Sequence, residues 1–192
     1  MAKLFFEVFP SLKLNERTRT LFADVEVTKV ATNKDRDYLH VHLFSTHLIQ
    51  KRQICDMEIA IKEQLFGMNP IQISIKESYQ LSTQYTPENL LREYYESMLY
   101  ELKGRSIVEH NMFASAKCSF ENDRTLCMKF EDSIVAEKKA EAIVEYVLDV
   151  FQNRCHVPVD IQVDFERVRQ SKMQEQNAMR LQQEVNAIVD EH

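Results

Sequence analysis

The sequence predicts an α+β fold of two small modules, residues 1–78 and 85–165, followed by a polar helical extension over 166–192. Three observations support this. Segments alternating apolar and polar residues are interleaved, in both modules, with segments whose apolar residues recur at helical spacing, the pattern of helices layered on small sheets. Gly and Pro number only 2 and 4, which argues against a sandwich of many tight turns, Gly-rich phosphate loops and long flexible linkers. After Phe165 the aromatic residues stop and Gln, Glu, Arg and Asn take over.

The first module reads β-α-β-β-α-β. LFFEVF (4–9) is expected as a short apolar strand, and NERTRTLFA (15–23) as a helix opened by Asn15. VEVTKVATN (25–33) and DYLHVHLFS (37–45) alternate around Lys34, Asp35 and Arg36, which predicts a hairpin. A helix over about Gln50 to Phe66 comes next, with Ile54, Met57, Ile61 and Leu65 as its buried stripe and Gly67 as its stop. Pro70 precedes a last alternating strand, IQISIKE (71–77). The junction YQLSTQ (79–84) is short and polar, so the modules should touch rather than swing freely.

The second module reads α-α-β-β-α-β. In YTPENLLREYYESMLYELKG (85–104), the Thr86 cap, Pro87 in the first turn and Gly104 as the stop predict a helix from Pro87 to Lys103. At about 100° per residue its apolar side chains cover roughly a half-circle, more than one contact with a sheet requires. Leu91, Tyr94, Met98 and Leu102 are assigned to the module's own sheet. Tyr95 and Leu99 on one flank, and Tyr100 alone on the other, are the candidate contacts for a neighbouring helix or a partner protein. A second helix over 106–114 is expected to anchor through Ile107 and Phe113, and KCSFENDRTLCMKF forms a hairpin around Asn122, Asp123 and Arg124. SIVAEKKAEAIVEYVLDVFQN (133–153) is a helix capped by Asp132 or Ser133, and VPVDIQVDF (157–165) a half-buried strand. Beyond it, Ala178, Leu181, Val185 and Ile188 keep a 3-4-3 spacing for less than two heptads, which favours a helical spacer over a dimer seam.

The composition, 44% hydrophobic and 28% charged, is that of a globular protein. Basic and acidic residues number 11 and 10 in residues 1–80, 9 and 15 in 81–165, and 4 and 5 in 166–192. The acidic middle disfavours a phosphate backbone, so non-specific DNA binding by the whole chain is not expected. No apolar run approaches the ~20 residues of a membrane span, and MAKLFFEVFP lacks the features of a signal peptide. A cytoplasmic protein without membrane association is therefore expected. Cys55, Cys118, Cys127 and Cys155 form no C-x-x-C pair and are expected as free thiols. Pleat parity separates the tempting pair: if Cys118 and Phe120 face the core, so do Leu126, Met128 and Phe130, and Cys127 faces away.

Chemistry-bearing constellations are sparse. His40 and His42 share a strand face and form a weak metal candidate, with Cys55 the only nearby thiol and no third ligand fixed by spacing. There is no Gly-x-Ser-x-Gly elbow and no Gly-rich loop, and the paired carboxylates Asp35 with Asp37 and Glu131 with Asp132 fall in turns and caps. No catalytic residue, cofactor or small-molecule ligand is expected. Lys29, Lys34, Arg36, Lys51 and Arg52, beside Tyr38 and Phe44, would suit single-stranded nucleic acid if the hairpin turn approaches the second helix.

Four stretches carry a resemblance: LFFEVFPSLKL, LIQKRQICDMEIAIKEQLFG, YQLSTQYTPENLLREYYESMLYELK and DSIVAEKKAEAIVEYVLDVF. In this order they resemble the N-terminal region of the PolC-type DNA polymerase III alpha subunit, the replicative polymerase of low-GC Gram-positive bacteria, over essentially the whole chain. In such polymerases an oligonucleotide-binding domain, a phosphoesterase-like domain with an inserted proofreading exonuclease, and the palm, thumb and fingers come after this region. The resemblance therefore carries over no catalytic residue. It implies a non-catalytic piece of a DNA-directed DNA polymerase with 3′–5′ exonuclease activity, which acts in chromosomal replication and touches DNA through its other domains. The element order of residues 86–165 also resembles two protein-docking modules of K-homology-like character, the N-terminal domain of the bacterial replication initiator and the C-terminal domain of the clamp-loader tau subunit. That implies contacts with replisome proteins, the tau subunit first among them. The alternative is an accessory module that guides single-stranded template.

Overall fold

The structure, a computed structural model, describes residues 2–166, in which six helices pack with two small sheets. A mixed α+β architecture is what the sequence predicts. The predicted extension lies, from residue 167 onward, outside the described residues.

The N-terminus corrects one expectation. Only Lys3–Leu4 is strand (β1), paired with Val27 and Glu26, and Phe5–Val8 closes into a helical turn (α1). The Phe5 ring is fully buried, with Phe6, Phe9 and Phe22 at centroid distances of 5.3, 5.0 and 5.1 Å. Phe5 and Phe9 turn inward together at helical spacing, and in so short an apolar run periodicity does not separate helix from strand. α2 (Glu16–Leu21) starts at Asn15 as predicted, where the side chain accepts a hydrogen bond from the Thr18 N–H.

β2 (Glu26–Thr32) and β3 (Tyr38–Ser45) form the predicted hairpin, with a register shift between Val27 and Lys29. Its turn is held by the Asn33 side chain, which accepts from the Asp37 and Tyr38 N–H groups, and by Arg36 at a left-handed φ of 57°. α3 (Lys51–Ile61) continues as a π-helical turn, Lys62–Phe66, closed by the N–H of Gly67 on the Lys62 carbonyl. The wider turn changes the angular position of its own residues, so Leu65 is exposed instead of completing the stripe of Ile54, Met57 and Ile61. β4 (Gln72–Tyr79) lies parallel to β3, giving the sheet order β1-β2-β3-β4. Tyr79, placed in the junction by the sequence, is its fully buried last residue.

α4 (Pro87–Arg105) is capped by Thr86, whose hydroxyl accepts from the Asn89 N–H. Gly104, expected as its stop, lies inside the helix; the chain turns instead at extended Ser106, which caps α5 (Ile107–Ser115). Ile107, expected as an anchor of α5, is 56% exposed, while Phe113 is fully buried. Six residues from Phe113 place Ile107 about 120° round the helix, off the packed face. β5 (Lys117–Phe120) and β6 (Thr125–Glu131) form the second hairpin, α6 (Ile134–Leu148) starts at the Ser133 cap and ends in another π-helical turn, Asp149–Arg154, and β7 (Asp160–Glu166) lies parallel to β6. Cys118 pairs with Met128 and Phe120 with Leu126, the parity that turns Cys127 to the opposite face; all four cysteines are free.

With LFFEVF corrected and the two-residue β1 set aside, both halves run helix, helix, hairpin, helix ending in a π-helical turn, parallel strand. Each closing strand comes after a proline and alternates from it, as PIQISIKE from Pro70 and PVDIQVDFE from Pro158. The buried residues of the two halves form one continuous core. At its centre the Tyr79 ring meets the Tyr94 ring edge-on at 6.3 Å, and the Tyr79 hydroxyl donates to the Ile49 carbonyl.

Candidate functional site

A cluster of charged side chains gathers where the halves meet. Lys51 at the start of α3, Glu77 on β4, Glu101 on α4, and Asp149 and Arg154 in the second π-helical turn line a cleft of about 390 Å³. Lys51 Nζ is 2.8 Å from Glu77 Oε1, and Arg154 Nη1 is 3.2 Å from the same oxygen and 2.8 Å from Glu101 Oε2. Arg154 Nε donates to Asp149 at 2.8 Å, and the Tyr146 hydroxyl donates to Glu101. The Glu77 side chain, only 2% exposed, is tolerable there because two cations face it.

The electrostatics arise from these contacts. Burial alone would raise the Asp149 carboxyl, but hydrogen bonds from Asn153 and Arg154 outweigh it and hold it below the ordinary aspartate range. Burial disfavours the charged Arg154, yet Glu101, Glu77 and Asp149 keep it protonated. Glu58 on α3 lines the same cleft; burial raises its carboxyl above the ordinary range, although it accepts the Ile75 N–H at 2.6 Å. The charges here are matched to one another rather than aimed into the opening, so the arrangement is suited to tying α3, β4, α4 and the end of α6 together. The sequence reading missed this cluster. A signal was available: Glu77 falls on the inward parity of β4, with Ile73, Ile75 and Tyr79.

The residues singled out from sequence are dispersed. His40 and His42 lie on one face of β3, His40 stacked on Tyr38 at 5.1 Å; among the described residues no group of three or more His, Cys, Asp or Glu is placed to hold a metal. Of the basic five, Lys29 sits opposite His42, and Lys34 and Arg36 occupy the hairpin turn. Lys51 and Arg52 lie on α3, which packs on the other side of the sheet, and Lys51 is held in the ion cluster, so the expected patch does not assemble.

On α4, Tyr95 is turned to α5, its ring 5.3 Å from that of Phe113 and its hydroxyl on the Phe113 carbonyl. Leu99 packs partly buried against the core. Tyr100 stays 45% exposed and lines an open groove of about 500 Å³ with Cys55 of α3 and Lys103. None of the described helices is long and apolar enough to cross a membrane.

No match to the chain was found among curated proteins or among solved structures. A family model does match: residues 4–75, from β1 into β4, are similar to the DNA polymerase III polC-type N-terminus I.

Proposed function

We propose that this chain is the non-catalytic N-terminal region of a PolC-type replicative polymerase and serves protein contacts within the replisome. The observation that carries the polymerase assignment is the match of residues 4–75 to the polC-type N-terminus I. In this reading polymerisation and proofreading belong to other domains of a cytoplasmic DNA-directed DNA polymerase, and the present residues contribute no catalytic group, cofactor or metal. Two folding units, 1–78 and 85–165, act as one rigid body because their side chains share a core.

Support for a docking role comes from the second half. Its element order resembles that of K-homology-like docking modules, it is acidic, and it presents Tyr100 beside a groove between α3 and α4. The clamp-loader tau subunit is the partner this analogy favours. Titration calorimetry of the chain against purified tau subunit tests it: saturable binding that Tyr100→Ala weakens at least tenfold supports the reading. Absence of heat at tens of micromolar, with folding intact, overturns tau as the partner.

A further inference from the structure

The two sheets leave opposite kinds of surface uncovered. On β3, Val41, Leu43 and Ser45 are buried, and on β4 Ile75, Glu77 and Tyr79. The alternate residues form the other face of the first sheet. Register sets them in rows across the strands: Ala31, His40 and Ser74; Lys29, His42 and Lys76; Glu26, Phe44 and Ser78. Tyr38, 36% exposed, opens the series and stacks on His40. Four rings thus succeed one another along a single strand, over roughly 20 Å, with a lysine on each side of the His42 row.

The corresponding face of the second sheet is an internal control. There Lys129 is paired with Asp164 at 3.7 Å and Lys117 with Glu166 at 2.6 Å, so its cations are neutralised across the strands and no ring lies between them. Lys29 and Lys76 have no such partner among the described residues. Their field is felt at His42, where burial first and then Lys29, Lys76 and His40 lower the imidazole from its ordinary value and favour a neutral ring.

We propose that this open face of the first sheet binds single-stranded nucleic acid, with bases stacked on Tyr38, His40 and Phe44 and phosphates held by Lys29 and Lys76. Rings on the face of a four-stranded sheet stack bases of unpaired strands, and flanking cations track the backbone. A duplex offers neither unstacked bases nor the width to lie on so short a strand. A protein partner is disfavoured because two of the four rings are imidazoles and two cations without an ion-pair partner among the described residues flank the row, so the face is not an apolar patch. The site is independent of the Tyr100 groove, so either can fail alone.

The test is fluorescence anisotropy of the 192-residue chain with labelled oligo-dT, oligo-U and a duplex control at about 50 and 200 mM salt, with thermal melts confirming that each variant is folded. Both single strands should bind more tightly than duplex, and comparison of dT with U tells DNA from RNA as the natural ligand. The variant K29A/K76A should weaken binding and reduce the salt slope by about 1.4, the effect of two lost phosphate contacts on a single strand. Tyr38→Ala should cost roughly tenfold with the slope unchanged, and K117A/K129A on the second sheet should change nothing. No single-strand binding at the lower salt, or binding indifferent to Tyr38, Lys29 and Lys76, overturns the proposal.

Discussion

Arg154 Nη1 lies 3.2 Å from Oε1 of Glu77, so a residue of the second half neutralises a carboxylate buried on the last strand of the first sheet. Replacing Arg154 by Met should destabilise the chain by about 2–3 kcal/mol, below the roughly 3–5 typical of a broken buried pair because Lys51 still faces Glu77. Arg154→Lys should recover little, since an ammonium cannot span Glu77, Glu101 and Asp149 together. Urea denaturation measures both, and E77Q/R154M should be less damaged than R154M alone.

Acid should loosen the same junction through Asp149. Its folded-state pKa is depressed, so its contribution is complete above the ordinary aspartate value of 3.8 and is lost as pH falls through the folded value. Asp149→Asn should flatten the fall in melting temperature between about pH 5 and 2, a window set by the ordinary value and the direction of the shift.

Glu58 has the opposite sign. Its carboxyl is raised, so the folded chain holds that proton more tightly than the unfolded one and the cost of the charge appears as pH rises above 4.5. Glu58→Gln keeps an acceptor for the Ile75 N–H and removes the buried charge, and should raise the melting temperature at pH 7 with no gain at pH 4. A loss at pH 7 would show that its attraction to Lys51 outweighs burial.

Exposure and burial on neighbouring helices should separate cleanly. Tyr100→Ala and Ile107→Ser should each change stability by no more than about 0.5 kcal/mol, whereas Phe113→Ala should cost about 3–5 kcal/mol.

The thiols should react slowly in the folded chain. Burial raises Cys118 to about 11 and Cys155 to about 12, leaving little thiolate at pH 8. Four equivalents of thiol should be complete on unfolding, with Cys55, which lines the open groove, reacting ahead of buried Cys127 and Cys155 and no disulfide to reduce first.

Elements whose caps and periodicity agree were legible from sequence. Asn15, Thr86 and Ser133 each accept the N–H three residues on, and the alternation of residues 25–45 gives the hairpin with its parity. The elements that escaped the reading were either too short for a period, as with Phe5–Val8, or altered by helix geometry, as with the π-helical turn that exposes Leu65. The width of the apolar face on α4 correctly implied two contacts, but Tyr95 and Leu99 spend theirs on α5 and the core, leaving only Tyr100 open. The basic patch does not gather because the hairpin turn lies by Phe66, at the opposite end of α3 and its π-helical turn from Lys51 and Arg52, and Lys51 is held by Glu77. Its replacement, Lys29 with Lys76, depends on a parallel pairing that no local pattern encodes.

The outer strands of the two sheets, β4 and β7, differ in what would meet an added strand. On β4 the Glu58 carboxylate occupies the Ile75 N–H that an added strand would need, and protonation does not remove its remaining acceptor oxygen. On β7 the acids Asp160, Asp164 and Glu166 are already paired with Arg124, Lys129 and Lys117, and among the described residues no side chain of another element caps its backbone as Glu58 caps β4. Aggregation at low pH should therefore begin at β7.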